Sequence, residues 1–193
     1  MRSTSSLLPH FTGDLDWIHA QEGHVGKPYW PGGISGITLD PGADLGHAEP
    51  FLAGVYQAAL TTQQWQAVQQ AVGIKGQAAQ RHLSSATTLS SIRITLEQAK
   101  TYFPLLVQTY WHVACTQLAG LDCAPAYVQT AVLSLTYNRG AYNPHLKPLA
   151  SFIKKQDWIG LAKTVGAMQQ HHSSPGIAQR RQREAQWILK HVP

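Results

Sequence analysis

The spacing of apolar positions divides the chain into a short helical start, a stretch with no helical period, and a long helical remainder. In "TGDLDWIHAQEG", Leu15, Ile18 and Glu22 stand at i, i+3 and i+7. This predicts a short helix opened by Thr12 or Asp14 and stopped by Gly23, with Glu22 on its apolar face at the last turn. From Lys27 to His47 the period vanishes: "KPYW", "PGG" and "SGITLD" predict two short strands around a Pro-Gly-Gly turn, and "DPGAD" a further turn. Helical spacing then returns at about 49–58, 62–72, 75–84 and 95–118, within "APAYVQTAVLSLTYNRG", at about 147–153 and 156–168, and in the final "IAQRRQREAQWILKH". Thr95 with Gln98 matches a capping box, and Pro104 is expected to kink or divide the long helix. Val128, Ala131, Val132 and Leu135 form a stripe that Gly140 can end. The expected class is α+β, mostly α: one domain, with a hairpin lobe over about 12–60 and a helical body over about 61–193.

Composition narrows the class. With 44% hydrophobic and 13% charged residues in 193, the chain can bury a substantial core. No apolar run approaches the roughly 20 residues of a membrane helix, and "MRSTSSLLPHF" lacks the apolar region of a secretory signal. Membrane insertion is therefore not expected, and action outside the cytoplasm would need delivery by another system. Cys115 and Cys123 are the only cysteines, too few for a disulfide framework, so two free thiols are expected.

Charge is sorted along the chain. The first fifty residues hold six acids against two bases, net −4; the other 143 hold four acids against thirteen bases, net +9. The overall +5 favours polyanions without choosing among nucleic acid, anionic lipid and cell wall.

Two carboxylates in unlike environments are what glycoside hydrolysis requires: a proton donor of raised pKa and an ionised partner. Glu22, beside apolar residues, suits the first part, and Asp40 or Asp44, in a turn with spare amides, suits the second. The competing reading makes Glu22 a solvated helix end and both aspartates ordinary turn formers. Tyr29 and Trp30 either stack on sugar faces or pack on the hairpin, and Asn138 either contacts substrate or caps its own helix. Arg180, Arg181 and Arg183 either hold Glu22 or an anionic glycan, or form a solvated face. Ten histidines contain no His-Glu-x-x-His, so no metal or other cofactor is expected, and phosphate-cradling and serine-hydrolase motifs are missing.

Glu22, a short hairpin and "SGITLDPGADLG" together resemble the N-terminal signature of the phage-type lysozymes, most closely the pesticin-like muramidase branch. In that branch a threonine stands six residues before an aspartate that opens Asp-Leu-Gly, as Thr38 and Asp44 do here. "AVLSLTYNRG" and "RRQREAQWI" are similar to later helices of the wider family. Two features depart from the common phage pattern: no acid lies between Glu22 and Thr38, and Asp40-Pro41-Gly42 replaces the usual glycine-aromatic-glycine.

The resemblance implies a lysozyme-like fold with a cleft between hairpin lobe and helical body. It implies Glu22 as general acid, Asp44 as the second carboxylate with Asp40 as its competitor, and Thr38 as the group that orients water. Tyr29 and Asn138, each with the two readings given above, are the candidates for substrate contact. The implied reaction is hydrolysis of the β-1,4 bond between N-acetylmuramic acid and N-acetylglucosamine, with peptidoglycan as substrate in the periplasm or wall. An immunity protein, a holin or a secretion system are the partners such a role would bring; nucleic acid is not expected. The alternatives are a lytic transglycosylase, which also uses a glutamate, and a non-enzymatic helical module that binds polyanions.

Overall fold

The structure is a computed structural model and describes residues 4–47, 54–140 and 142–193. It is mostly helical with one small antiparallel sheet. Helices α1 (Thr4–Leu7) and α2 (Leu15–Glu22) precede strands β1 (Thr38–Leu39) and β2 (Ala43–Asp44). Then come α3 (Thr62–Ala71), α4 (Gly76–Ser85), α5 (Thr87–Ser90), α6 (Leu96–Gln117) and α7 (Ala126–Arg139). The chain ends with α8 (Leu149–Lys155), α9 (Trp158–Ala167) and α10 (Pro175–His191). Among the described residues no helix is long and apolar enough to cross a membrane.

The helix ends follow local chemistry. Asp14 Oδ1 accepts the Trp17 amide at 2.8 Å and so caps α2, and Gly23 leaves the helix with φ +73. Thr61 with Gln64 and Thr95 with Gln98 form reciprocal capping boxes on α3 and α6. Pro104 does not divide α6, whose helical run is unbroken. The helix expected over about 49–58 lies outside the described residues at 49–53, and 55–59 form turns closed by i to i+3 bonds such as Ala59 N to Tyr56 O, 3.0 Å.

The chain forms two compact units: Glu22–Leu106, and a discontinuous one joining Met1–Gln21 to Val107–Pro193. A boundary near residue 60, where the period changes, falls inside the first of these. That unit has its core in Ile37, Leu39, Ala43 and Leu45 of the hairpin with Tyr56, Val68, Ala71, Leu89, Ile92 and Leu106.

The discontinuous unit is built on α7. The stripe of Val128, Ala131, Val132 and Leu135 is buried as expected, yet so are Gln129, Thr130, Ser134 and Thr136. The middle of the helix, Val128–Thr136, is enclosed rather than amphipathic, and two of its polar side chains are satisfied locally: Thr130 and Thr136 hydroxyls donate to carbonyls one turn back. Gln129 clips distant segments together. Its Nε2 donates to the carbonyls of His10, Asp122 and Ala124, and its Oε1 accepts the Thr12 amide at 2.7 Å. Trp111 adds a bond from its indole to Pro9 O, 2.9 Å, and an edge contact with Phe11.

Both cysteines are free. Burial, then the charge of Asp122, pushes the half-buried Cys115 thiol up to about 12, while Cys123 is exposed. A thiol reagent at pH 8 should accordingly modify one cysteine per chain quickly and Cys115 only after unfolding, because the thiolate is the reactive form. Gln129→Leu should lower unfolding free energy by about 2–4 kcal/mol in urea titration, since it strands the Thr12 amide and several carbonyls.

Candidate active site

The hairpin owes its register to a period of two. Thr38 pairs with Asp44 and Leu39 with Ala43, so Ile37, Leu39, Ala43 and Leu45 all turn toward the core. Thr38 and Asp44 therefore share the opposite face as direct cross-strand partners, a relation that places Cβ atoms about 5 Å apart. Tyr29 extends the ladder by one bridge to Thr38, with Thr38 N to Tyr29 O at 2.7 Å and Tyr29 N to Thr38 O at 3.1 Å.

The strands expected around Pro-Gly-Gly thus reduce to this single bridge, and the regular pairing lies around Asp40-Pro41-Gly42. Pro28 and Pro31 supply no amide for a ladder. Gly32 and Gly33 take φ of +102 and +59 in a turn closed by Ser35 N to Gly32 O. Trp30 donates its indole N–H to Ser35 O, 3.0 Å, and packs on the core, so of the two roles open to it the structure supports packing.

Asp44 sits in a cradle of two amides. Its Oδ1 accepts Gly36 N at 2.9 Å and Gly46 N at 2.8 Å. Both bonds use one oxygen, so the turn does not need the other. The glycines are required by contact: a Cβ on Gly46 would lie 2.7 Å from Gly36 Cα and 2.9 Å from Ile74 O, and one on Gly36 would strike the Gly46 amide.

Asp40 is held differently. It is 2% exposed, and its Oδ2 accepts the Val25 amide at 2.8 Å, the Gly26 amide and His24 Nδ1 at 2.9 Å. Its carbonyl accepts Tyr56 Oη at 2.8 Å.

Glu22 is the last residue of α2, half-buried, and begins the same compact unit as the hairpin. Tyr29 registers all three carboxylates. Burial first, then the charges of Asp40, Glu22 and Asp44, raise its phenol above the usual tyrosine value, which keeps it a neutral donor. Glu22, Tyr29, Thr38, Asp40 and Asp44 thus gather in one unit.

Asn138 belongs to the discontinuous unit. It does not cap its helix; its Oδ1 accepts Arg181 Nη2 at 2.9 Å. Arg180 and Arg181 are not a solvated face either. Both are buried around Glu184, with Arg180 Nε 3.3 Å from Oε1, Arg181 Nε 3.1 Å from Oε2, and the Ser134 hydroxyl donating at 2.6 Å. Burial pushes the Glu184 carboxyl up, opposed by Arg181, Arg180 and Ser134. The signal was present in the sequence: Arg181, Glu184, Ala185 and Ile188 stand at i, i+3, i+4 and i+7, a buried stripe with charges in it. Arg183 alone of the three is exposed, donating to Gln21 Oε1 at 2.8 Å.

Among the described residues no three His, Cys, Asp or Glu side chains converge as metal ligands. A concavity of about 760 Å³ in the discontinuous unit, lined by Gln117, Cys123, Lys154, Gln156 and Trp158 among others, holds none of the candidate residues.

Residues 18–175 match the model of a family described as a domain of unknown function, DUF8812. The match spans every candidate from Glu22 to Asn138. No curated protein matches the chain.

The cradle makes a direct test of the Asp44 geometry. Gly46→Ala should cost about 3 kcal/mol, because only backbone atoms stand in the way of the new methyl. Gly54→Ala, where a Cβ meets nothing within 4 Å, should stay within about 0.5 kcal/mol of wild type in the same urea titration.

Proposed function

The chain belongs to the DUF8812 family, and we propose that it is a lysozyme-like muramidase that hydrolyses the β-1,4 bond between N-acetylmuramic acid and N-acetylglucosamine in peptidoglycan. The observation that carries this reading is the pairing of Thr38 with Asp44 on one hairpin face, in the same unit as Glu22 and around a tyrosine that feels both carboxylates. A glycosidase needs two carboxyl groups in unlike surroundings. Glu22 is a helix-end side chain, whereas Asp44 is fixed in a hairpin by two backbone amides.

In this reading Glu22 gives its proton to the leaving glycosidic oxygen as that bond breaks. Water adds to the anomeric carbon, oriented by the Thr38 hydroxyl, and its proton passes to the Asp44 carboxylate. Tyr29, kept neutral, offers an O–H donor to the sugar at the same place. Burial supports Asp44 as the second carboxylate: Asp40 is 2% exposed, whereas Asp44 is only half-buried and so open to water and substrate.

Charge is compatible with an anionic wall as substrate. The discontinuous unit holds ten Lys and Arg against five Asp and Glu, and the unit of Glu22 holds five of each, so the whole net +5 lies on the former.

Purified peptidoglycan tests the proposal by loss of turbidity. Wild type should clear it, Glu22→Gln and Asp44→Asn should each lose about a hundredfold or more, and mass spectrometry should find reducing ends. Equal clearing by wild type and Glu22→Gln would sink the acid assignment, and 1,6-anhydro ends as the main product would make the protein a lytic transglycosylase instead.

A further inference from the structure

Asp40 spends a buried carboxylate on a turn that follows Glu22. The segment Gly23-His24-Val25-Gly26 has no regular structure, and both its glycines take left-handed φ, +73 and +75. A turn of that kind leaves amides without helical or ladder partners, and an anionic acceptor is the strongest way to fix them. One oxygen of Asp40 receives the Val25 and Gly26 amides and the His24 ring nitrogen.

The acceptor is itself anchored. The Asp40 carbonyl takes the hydroxyl of Tyr56, which is fully buried and packs edge-on against Tyr102 with ring centroids 5.4 Å apart. The turn is pinned on its other side too, where Gly26 O accepts Ile94 N at 3.0 Å. A continuous set of contacts therefore runs from Tyr102 and Tyr56 on the core, through Asp40, to the residues next to Glu22.

We infer that Asp40 is a positioning residue for Glu22: with His24 it locks the turn that ends the glutamate's helix and so fixes where that carboxyl stands. This rests on the reading of Glu22 as general acid. The energetic reason for such a lock is that an error of about 1 Å in a reacting group costs on the order of a hundredfold in rate.

The test compares wild type, Asp40→Asn, His24→Leu and His24→Asn by three measurements: amide hydrogen exchange at Val25 and Gly26, kcat and KM on soluble peptidoglycan fragments, and thermal unfolding. An amide side chain replaces a charged acceptor with a weaker one. Asp40→Asn should speed exchange at both amides at least tenfold and lower kcat about ten- to a hundredfold, with KM within twofold of wild type. His24 is a partly exposed side chain whose loss leaves the core intact. His24→Leu should lower kcat about two- to fivefold, and His24→Asn, which retains a donor, should recover most of it.

Faster exchange with unchanged kcat would overturn the positioning role. So would unchanged exchange with activity as low as that of Glu22→Gln, which would make Asp40 a catalytic carboxylate. If wild type hydrolyses nothing, the muramidase reading fails by itself, and the exchange measurement still decides separately whether Asp40 locks the turn.

Discussion

The burial of Ile37, Leu39, Ala43 and Leu45 is the constraint from which the candidate site follows. Four apolar side chains in two short strands must face the same core, and side chains alternate along a strand. Thr38 and Asp44 are left no choice but the other face. A slip of one residue would send Asp44 into the core and bring two apolar side chains out, so the apolar set enforces the polar pair. Gly36 and Gly46 then let two backbone segments approach closely enough to aim both amides at Asp44.

Few acids are present, and much of their work is internal. Asp40 and Glu184 are buried, Asp44 is cradled by amides, and Asp14 and Asp157 cap helices. Buried carboxylates destabilise a fold unless donors surround them, and each of these has donors in reach. Asp40 is met by two amides and an imidazole, and Glu184 by two guanidinium groups and a hydroxyl. The two solutions differ in kind. Around Glu184 opposite charges meet one turn apart on a single helix, with the Ser134 hydroxyl added from a facing one, whereas around Asp40 the donors are chiefly backbone, so the carboxylate sets the path of the chain.

The same contrast separates the two compact units electrostatically. Sorting by sequence position shows an acidic start and a basic remainder, but sorting by contact shows a neutral unit and a basic one. The acids and bases of residues 22–106 balance because Lys75, Arg81, Arg93 and Lys100, far along the chain, share a unit with the acidic hairpin. Any steering of an anionic glycan would come from the discontinuous unit alone.

Local chemistry was legible in the sequence. Helix ends at Thr95, Asp14 and Gly23, the Asp-Pro-Gly turn and the six-residue spacing of Thr38 and Asp44 all depend on neighbours within a few residues, where propensity and hydrogen bonding act directly, but the strands expected around Pro-Gly-Gly pair around Asp-Pro-Gly instead. Long-range packing decided the rest. That Arg180 and Arg181 are buried, that Asn138 serves Arg181, that α7 is buried without a break from Val128 to Thr136 and that Asp40 reaches back to residues 24–26 each depend on partners at least 14 positions away. A sequence pattern shows which side chains share a face; only the tertiary structure brings the donors that determine whether a charge on that face is solvated, paired or set against the backbone.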